Sequence, residues 1–353
     1  MAPKPRVHVG AGDLRALVTG IFAAAGMSPE HAAATAEPFV WANLRGVDSH
    51  GVSRVPRYLE LFASGEANPA PSIDVRRVRP AALLVDADRA PGPLALTEAM
   101  RAAIETARET GVAWAVVRAT TLAGAIGYFT SLAAAEGMVG IGIVAGMPNM
   151  GYEGARGAAV ATSPLSIAIP ATRHADLVLD MATAGIALGK IAQYRLRGEQ
   201  LPPGMATTAE GEPTTDPSLA KVPLPLGGAK GSGMSLAFEL LASGLAGNPI
   251  VPAYHGGAPE GRRHRQNAIV VAVDVAAFLD PGEYAGGVDE TIDAIKRLPA
   301  VEGAEVLYPG ERGARTQEQR ERDGIPLAPK TWAELSEAAA GLGVAVPEVE
   351  QAA

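Results

Sequence analysis

The chain has no cysteine, which excludes disulfides, thiolate metal sites and cysteine nucleophiles. It lacks a positive charge balance. The formal net charge is −8, so the basic footprint that neutralises phosphates is missing and nucleic acid is an unsuitable partner. It also lacks a long apolar run. The most apolar stretch, residues 137–147, falls well short of the roughly 20 residues that a spanning helix needs, and it reads as a buried strand. The opening MAPKPRVHVGAGDLR has basic residues but no apolar core after them, so no leader is expected and the expected location is cytoplasmic. What the chain does have is 353 residues, 48% of them hydrophobic. That is enough for a large core and for about two domains at roughly 150 residues each.

Periodicity and punctuation outline the elements. Leu14, Leu17, Val18, Ile21 and Phe22 predict a helix capped by Asp13 and stopped at Gly26. Ser28-Pro29-Glu30 predicts a second helix start, with a kink at Pro38 and an end near Leu44. Residues 64–92 read as loop with short strands. A helix over 94–110, ending at Gly111, precedes strands over 112–118, 137–145, 165–169 and 177–180. Further helices are expected at 184–196, 232–245, 289–298 and 331–340, with a strand at 269–275. Residues 198–228 hold six Pro and five Gly and read as loop. Only a turn fits between 169 and 177, too little for a helical crossover. The sheet is therefore expected to be mixed or antiparallel, in an α/β or α+β chain.

Two glycine motifs invite a phosphate reading. Residues 140–145, GIGIVA, match G-x-G-x-x-[GA] formally, but they lie inside the apolar run and no helix signal follows. Glycines in a closely packed strand are the simpler reading. Residues 227–233, GGAKGSG, place Lys230 among glycines before a predicted helix. Exposed N–H groups, a helix start and an ammonium suit an anion; a flexible loop with a solvated lysine is the alternative. The densest chemistry lies in RGVDSHGVSRVPRY (45–58). On a helix, His50, Arg54 and Tyr58 would share a face. A histidine handles protons near neutral pH, an arginine grips a carboxylate, and a tyrosine adds a hydroxyl. Asp48 or Ser49 would orient the imidazole. The other histidines (His8, His31, His174, His255 and His264) show no metal spacing, so no metal site is expected. No G-x-S-x-G elbow supports a hydrolase.

RGVDSHGVSRVPRY resembles the signature of the malate/L-lactate dehydrogenase family of the second type. Its members include ureidoglycolate and sulfolactate dehydrogenases, 2,3-diketogulonate reductase and Δ1-piperideine-2-carboxylate reductase. Similar motifs follow in order: ATSPLSIAIP (161–170), LVLDMATAGIALGKI (177–191), GEPTTDP (211–217), LPLGGAKGSGMSL (224–236) and YPGER (308–312). The resemblance implies a non-Rossmann α/β fold with a mixed sheet, using NADPH or NADH, in a homodimer with its active site near the subunit interface. It implies a helical substrate and dimerisation part over 1–118, completed by 290–353, and a cofactor part over 119–289. It makes His50 the proton donor and acceptor, joined by Asp180. Arg54 becomes the carboxylate clamp, with Ser49, Tyr58 and Leu122 on the substrate side. Thr162, Val178, Leu179, Asp180, Met181, Ala182 and Thr183 would line the cofactor. Ala229 and Lys230 would meet its phosphates, with Gly310, Glu311 and Arg312 closing the site. Arg312 and Arg315 are both candidates for a ribose 2′-phosphate.

One stretch departs from the family. Where its members carry S-N-H-F-G-x-x-G-Y, this chain has Thr120-Thr121-Leu122-Ala123-Gly124-Ala125-Ile126-Gly127-Tyr128. The family's second histidine is Leu122, which accepts no proton; loss of one acid–base group typically costs about 10²–10⁴-fold. Tyr152-Glu153-Gly154-Ala155 also replaces the expected P-x-G-G. The favoured expectation is reduction of an unusual 2-oxo acid or a cyclic imine, because an imine can arrive already protonated. The alternatives are malate/lactate-like 2-hydroxy acid oxidation, or dinucleotide binding without turnover.

Overall fold

The computed structural model describes residues 7–257 and 265–349; His264 lies outside them. The chain opens with β1 (Val7–Val9), α1 (Ala11–Ala24) and α2 (Pro29–Leu44). Ser28 caps α2 as its sequence suggests, accepting from the His31 N–H at 3.2 Å. Pro38 is accommodated inside α2, which continues past it. Gly10 takes the N-cap of α1, so Asp13 sits in the first turn instead of capping. Two short 3₁₀ turns, Asp48–His50 and Val52–Arg54, lead into α3 (Val55–Ala63).

The hairpin β2 (Asp74–Arg79) and β3 (Ala82–Asp86) comes next, then α4 (Gly92–Thr110) and β4 (Val112–Thr120). Gly111, at φ +77°, ends α4 as predicted. There follow α5 (Gly127–Ala135), β5 (Met138–Gly146), β6 (Leu165–Ile169), β7 (Leu177–Met181) and α6 (Leu188–Arg197). The stretch read as loop contains a small sheet of β8 (Ala206–Thr207), β9 (Pro213–Thr214) and β10 (Val222–Pro223). Next come α7 (Ala229–Glu239), a π turn (Leu240–Gly244), α8 (Val251–His255), β11 (Gln266–Asp274) and α9 (Pro281–Lys296). The chain closes with α10 (Glu311–Asp323), β12 (Ile325–Leu327) and α11 (Pro329–Gly341).

Seven strands form the central sheet in the order β2-β3-β4-β11-β5-β6-β7. Only β3 and β4 run parallel within it, because α4 is the one crossover joining sheet neighbours. The short 169–177 connection makes β6 and β7 antiparallel, and the parallel β3–β4 pair makes the sheet mixed. The glycines of GIGIVA lie inside β5: a Cβ on Gly140 would sit 2.3 Å from the Thr130 carbonyl oxygen, so α5 packs directly on strand backbone. One face of the sheet meets α4, α5 and the N-terminal helices in the main core. The other is covered in part by α7 and the π turn, through Phe238 and Ala242. Pairing of β1 with β12 brings the C-terminal helices back to the N-terminal ones. The central sheet spans position 118, and β4 itself crosses it.

Candidate active site

The site collects around the end of β7. Asp180 Oδ2 accepts the Gly127 N–H at the start of α5 at 2.8 Å. The residue packs on Gly127, beside Trp41, on one side and is exposed on the other. Loss of hydration, opposed by Gly127 and Arg45, raises its pKa to about 6. Arg45, at the end of α2, stacks over Trp41 at 5.1 Å and donates to the Gly310 carbonyl at 3.0 Å. Val178 N–H donates to Pro309 O at 3.0 Å. Thus α2, β7 and the 309–312 loop meet at one place. A Cβ on Gly310 would lie 2.8 Å from Val178 N, so only glycine permits this approach.

His50 ends the first 3₁₀ turn. Its Nδ1 lies 3.0 Å from Ser49 Oγ, leaving Nε2 for a substrate. Burial and the nearby Arg54 charge push its pKa down to about 4, so the ring is neutral at pH 7. Arg54 donates through Nε to Ser49 O at 2.7 Å. Among the described residues, no hydrogen bond engages its two terminal nitrogens. Gly124 approaches to about 4 Å of the His50 carbonyl oxygen, measured from a Cβ built there. Leu122 is half-buried against the main core. Gly189, at the start of α6, packs on Ser49.

Some sequence-predicted residues stand elsewhere. His50, Arg54 and Tyr58 do not share a continuous helical face, because the 3₁₀ turns precede α3. Tyr58 is fully buried against Phe22 and Phe39, and its hydroxyl donates to the Leu122 carbonyl. It shapes the 120–124 loop instead of offering a free hydroxyl. Glu311 is buried and paired with Lys296 and Arg315, at 2.5 Å each, so it braces the start of α10. Arg315 also binds Glu305, whereas Arg312 is exposed.

The glycine-rich segment at the start of α7 lies further along. Thr183 N–H donates to Thr162 O at 3.0 Å, and Leu226 N–H to Thr183 O at 2.8 Å. That ladder seats Ala229 and Lys230, both exposed, on the first turn of α7. Gly228 is the N-cap and no side chain caps the helix. Leu179 and Met181 alternate with Val178 and Asp180 and are half-buried on the opposite face; Ala182 follows, also half-buried. Arg45, Trp41 and Gly127 went unread in the sequence. Arg45 opens the motif-dense segment, but only the fold brings it to Asp180 and Gly310.

Comparison with known proteins places the chain in a class of dehydrogenases. A profile of the malate/L-lactate dehydrogenase family matches residues 9–336. The L-sulfolactate dehydrogenase of Methanocaldococcus jannaschii is 34% identical over 334 residues, covering 94% of this chain and 96% of that protein. The ureidoglycolate dehydrogenase (NAD(+)) of Escherichia coli strain K12 is 32% identical, covering 89% and 90%. Among solved structures, the M. jannaschii sulfolactate dehydrogenase superposes with a TM-score of 0.85 at 32% identity, covering 96% of this chain and 98% of that one. The Δ1-piperideine-2-carboxylate reductase of Pseudomonas syringae pvar. tomato gives 0.82 at 29% identity, covering 94% and 99%. The chain belongs to the malate/L-lactate dehydrogenase family and is an oxidoreductase.

Proposed function

We propose that the protein transfers hydride between a nicotinamide cofactor and a carboxylate-bearing 2-oxo acid or cyclic imine. The observation that carries this reading is the pairing of a neutral His50 with an Arg54 whose terminal nitrogens are open. Arg54 fixes the substrate carboxylate by its planar fork. His50 Nε2 then faces the reacting heteroatom. Leu122, where the resemblance implies a second histidine, accepts no proton, which favours a substrate needing little acid catalysis. Asp180 is the second titrating group and would assist proton movement. A neutral histidine is also a competent base, and this favours 2-hydroxy acid oxidation as the second reading.

The residues present fit a nicotinamide dinucleotide. The uncapped start of α7 with the exposed Lys230 suits the phosphates. Residues 178–183 and Thr162 would flank the nicotinamide half, with Ala229 at the phosphates and the loop at Gly310 and Arg312 closing over them. When bound, the cofactor carries the hydride. Arg312 is the arginine open to a 2′-phosphate; Arg315 is held by two carboxylates.

We assign the helical part, 1–118 with 290–353, to substrate and dimer contacts, and 119–289 to the cofactor, as a division of labour across one sheet. A homodimer is the proposed assembly. Val75 and Val78 on the edge strand β2, and Leu298 and Val301 after α9, are exposed apolar residues of that helical part. No described helix is long and apolar enough to cross a membrane, and a cytoplasmic location is the proposed one. The test is oxidation of NADH and of NADPH against pyruvate, oxaloacetate, a diketo acid and Δ1-piperideine-2-carboxylate, with light scattering for the assembly. Turnover of the imine alone supports the reductase reading; turnover of oxaloacetate or pyruvate restores the hydroxy acid reading. Cofactor binding with silence across the panel, and with malate and lactate in reverse, counts against both.

A further inference from the structure

Arg320 lies near the end of α10, far in sequence from the His50 turn. Its Nη1 and Nη2 meet Asp48 Oδ1 and Oδ2 at 2.6 and 3.2 Å, a forked pair, and Nη1 also reaches the Asn43 carbonyl. Its side chain is 12% exposed. Asn43, itself buried, donates through Nδ2 to Asp48 Oδ1 at 2.8 Å and accepts the Val52 N–H through Oδ1 at 2.8 Å. Asn43 therefore holds the chain on both sides of His50. Gly51 lets it do so: a Cβ there would fall 2.1 Å from Asn43 Oδ1. The side chains of the 48–50 turn are half-buried and none of them is apolar, so polar contacts rather than apolar packing fix it.

We infer that Arg320 is a positioning residue for His50, holding the Asp48–His50 turn through Asp48 and Asn43 so that the imidazole keeps its place against Arg54. The argument rests on the proposed role of His50. An arginine suits the task because its rigid fork fixes direction as well as distance, which a lysine ammonium does not. Displacements near 1 Å at a reacting group cost about 10²-fold in rate.

The test compares full-length wild type, Arg320→Ala and Arg320→Lys. The His50 ring is titrated by NMR without cofactor, its signal assigned by loss in His50→Gln. Turnover of an active panel substrate and fluorescence-measured affinity for reduced cofactor complete the set. In Arg320→Ala the ring pKa should rise from about 4 toward the ordinary 6.5, as the ring gains water and moves off Arg54, the charged group facing it. Turnover should fall about 10–100-fold, with substrate KM and cofactor affinity changed less than about twofold. Arg320→Lys should lie between. An unchanged titration, or a loss confined to KM, overturns the inference. Should Arg320→Ala fail to fold, Asp48→Asn weakens the same link without changing shape, and an unmoved titration there overturns it equally. If His50→Gln keeps full turnover, the proposed role of His50 fails, while the titration still decides whether Arg320 places the ring.

Discussion

The Gly127 backbone N–H points into the Asp180 carboxylate at 2.8 Å, and this contact joins the start of α5 to the end of β7. A Cβ at position 127 would lie 3.0 Å from Asp180 Oδ2 and 3.1 Å from the Trp41 ring. Gly127→Ala should therefore push the carboxylate aside while leaving the sheet intact. The expected result is a fall in turnover of about tenfold or more, from misplacement of the reacting groups, with a small change in unfolding midpoint. Steady-state kinetics beside thermal melts checks it.

His50 and Asp180 should give opposite pH dependences of stability. The folded pKa of His50, about 4, lies below its ordinary 6.5, so the unfolded chain binds the proton first. Its contribution is complete above 6.5 and lost as pH falls toward 4. The folded pKa of Asp180, about 6, lies above its ordinary 3.8, so its contribution is present below 3.8 and lost as pH rises through 6. His50→Gln should gain on wild type as the buffer goes from pH 7 to 4.5. Asp180→Asn should gain as it goes from pH 4.5 to 8. Unfolding midpoints at those values test both signs.

Leu122→His introduces the second histidine that the family resemblance implies at this position. If Leu122 is what disfavours 2-hydroxy acids, oxidation of malate or sulfolactate should rise about 10²-fold, the lower range for one acid–base group. Imine reduction should fall as the apolar side chain is lost. Equal rates in both variants would remove Leu122 from the specificity argument.

Lys230→Ala should weaken cofactor binding about 10–100-fold, the range for one lost charge-assisted hydrogen bond. Lys230 is exposed on the first turn of α7, so its removal leaves no buried hole. Titration by cofactor fluorescence measures the loss, and the salt dependence should flatten with it.

Local rules made the core elements legible. The Ser28 cap, the Gly111 stop and the short 169–177 turn each specify structure within a few residues, and the last of these excluded a wholly parallel sheet. The helix α9 begins eight residues before its apolar period becomes visible, because Gly282, Gly286 and Gly287 hide the pattern while Asp280 caps it. The π turn after α7 and the paired strands of residues 206–223 arise from tertiary contacts and leave no periodic trace. At the site, clustering exposed His50 and Arg54, but the burial of Tyr58 depends on Phe22 and Phe39 from two other helices. The pairing of Glu311 with Lys296 and Arg315 was equally hidden, since charge alone does not tell a brace from a ligand contact.

Gly92→Ala tests how the substrate-side loop is seated. A Cβ at position 92 would lie 2.3 Å from the Leu122 carbonyl oxygen and 2.5 Å from Ala123 Cα. Both are backbone atoms, so no side-chain rotation relieves the clash and the 120–124 loop must lift from the start of α4. The lift would also pull Leu122 O away from the Tyr58 hydroxyl, leaving a buried phenol without its partner. Overpacking of this kind costs about 1–3 kcal/mol, and the orphaned hydroxyl adds to it. Gly12→Ala is the contrast: nothing lies within 4 Å of a Cβ there, inside α1, and the change should stabilise by about 0.5–1 kcal/mol through lost backbone freedom in the unfolded chain. Urea unfolding of both variants would separate the two effects. A Gly92→Ala protein as stable as wild type would mean that the loop does not rest on α4 as the backbone contact requires.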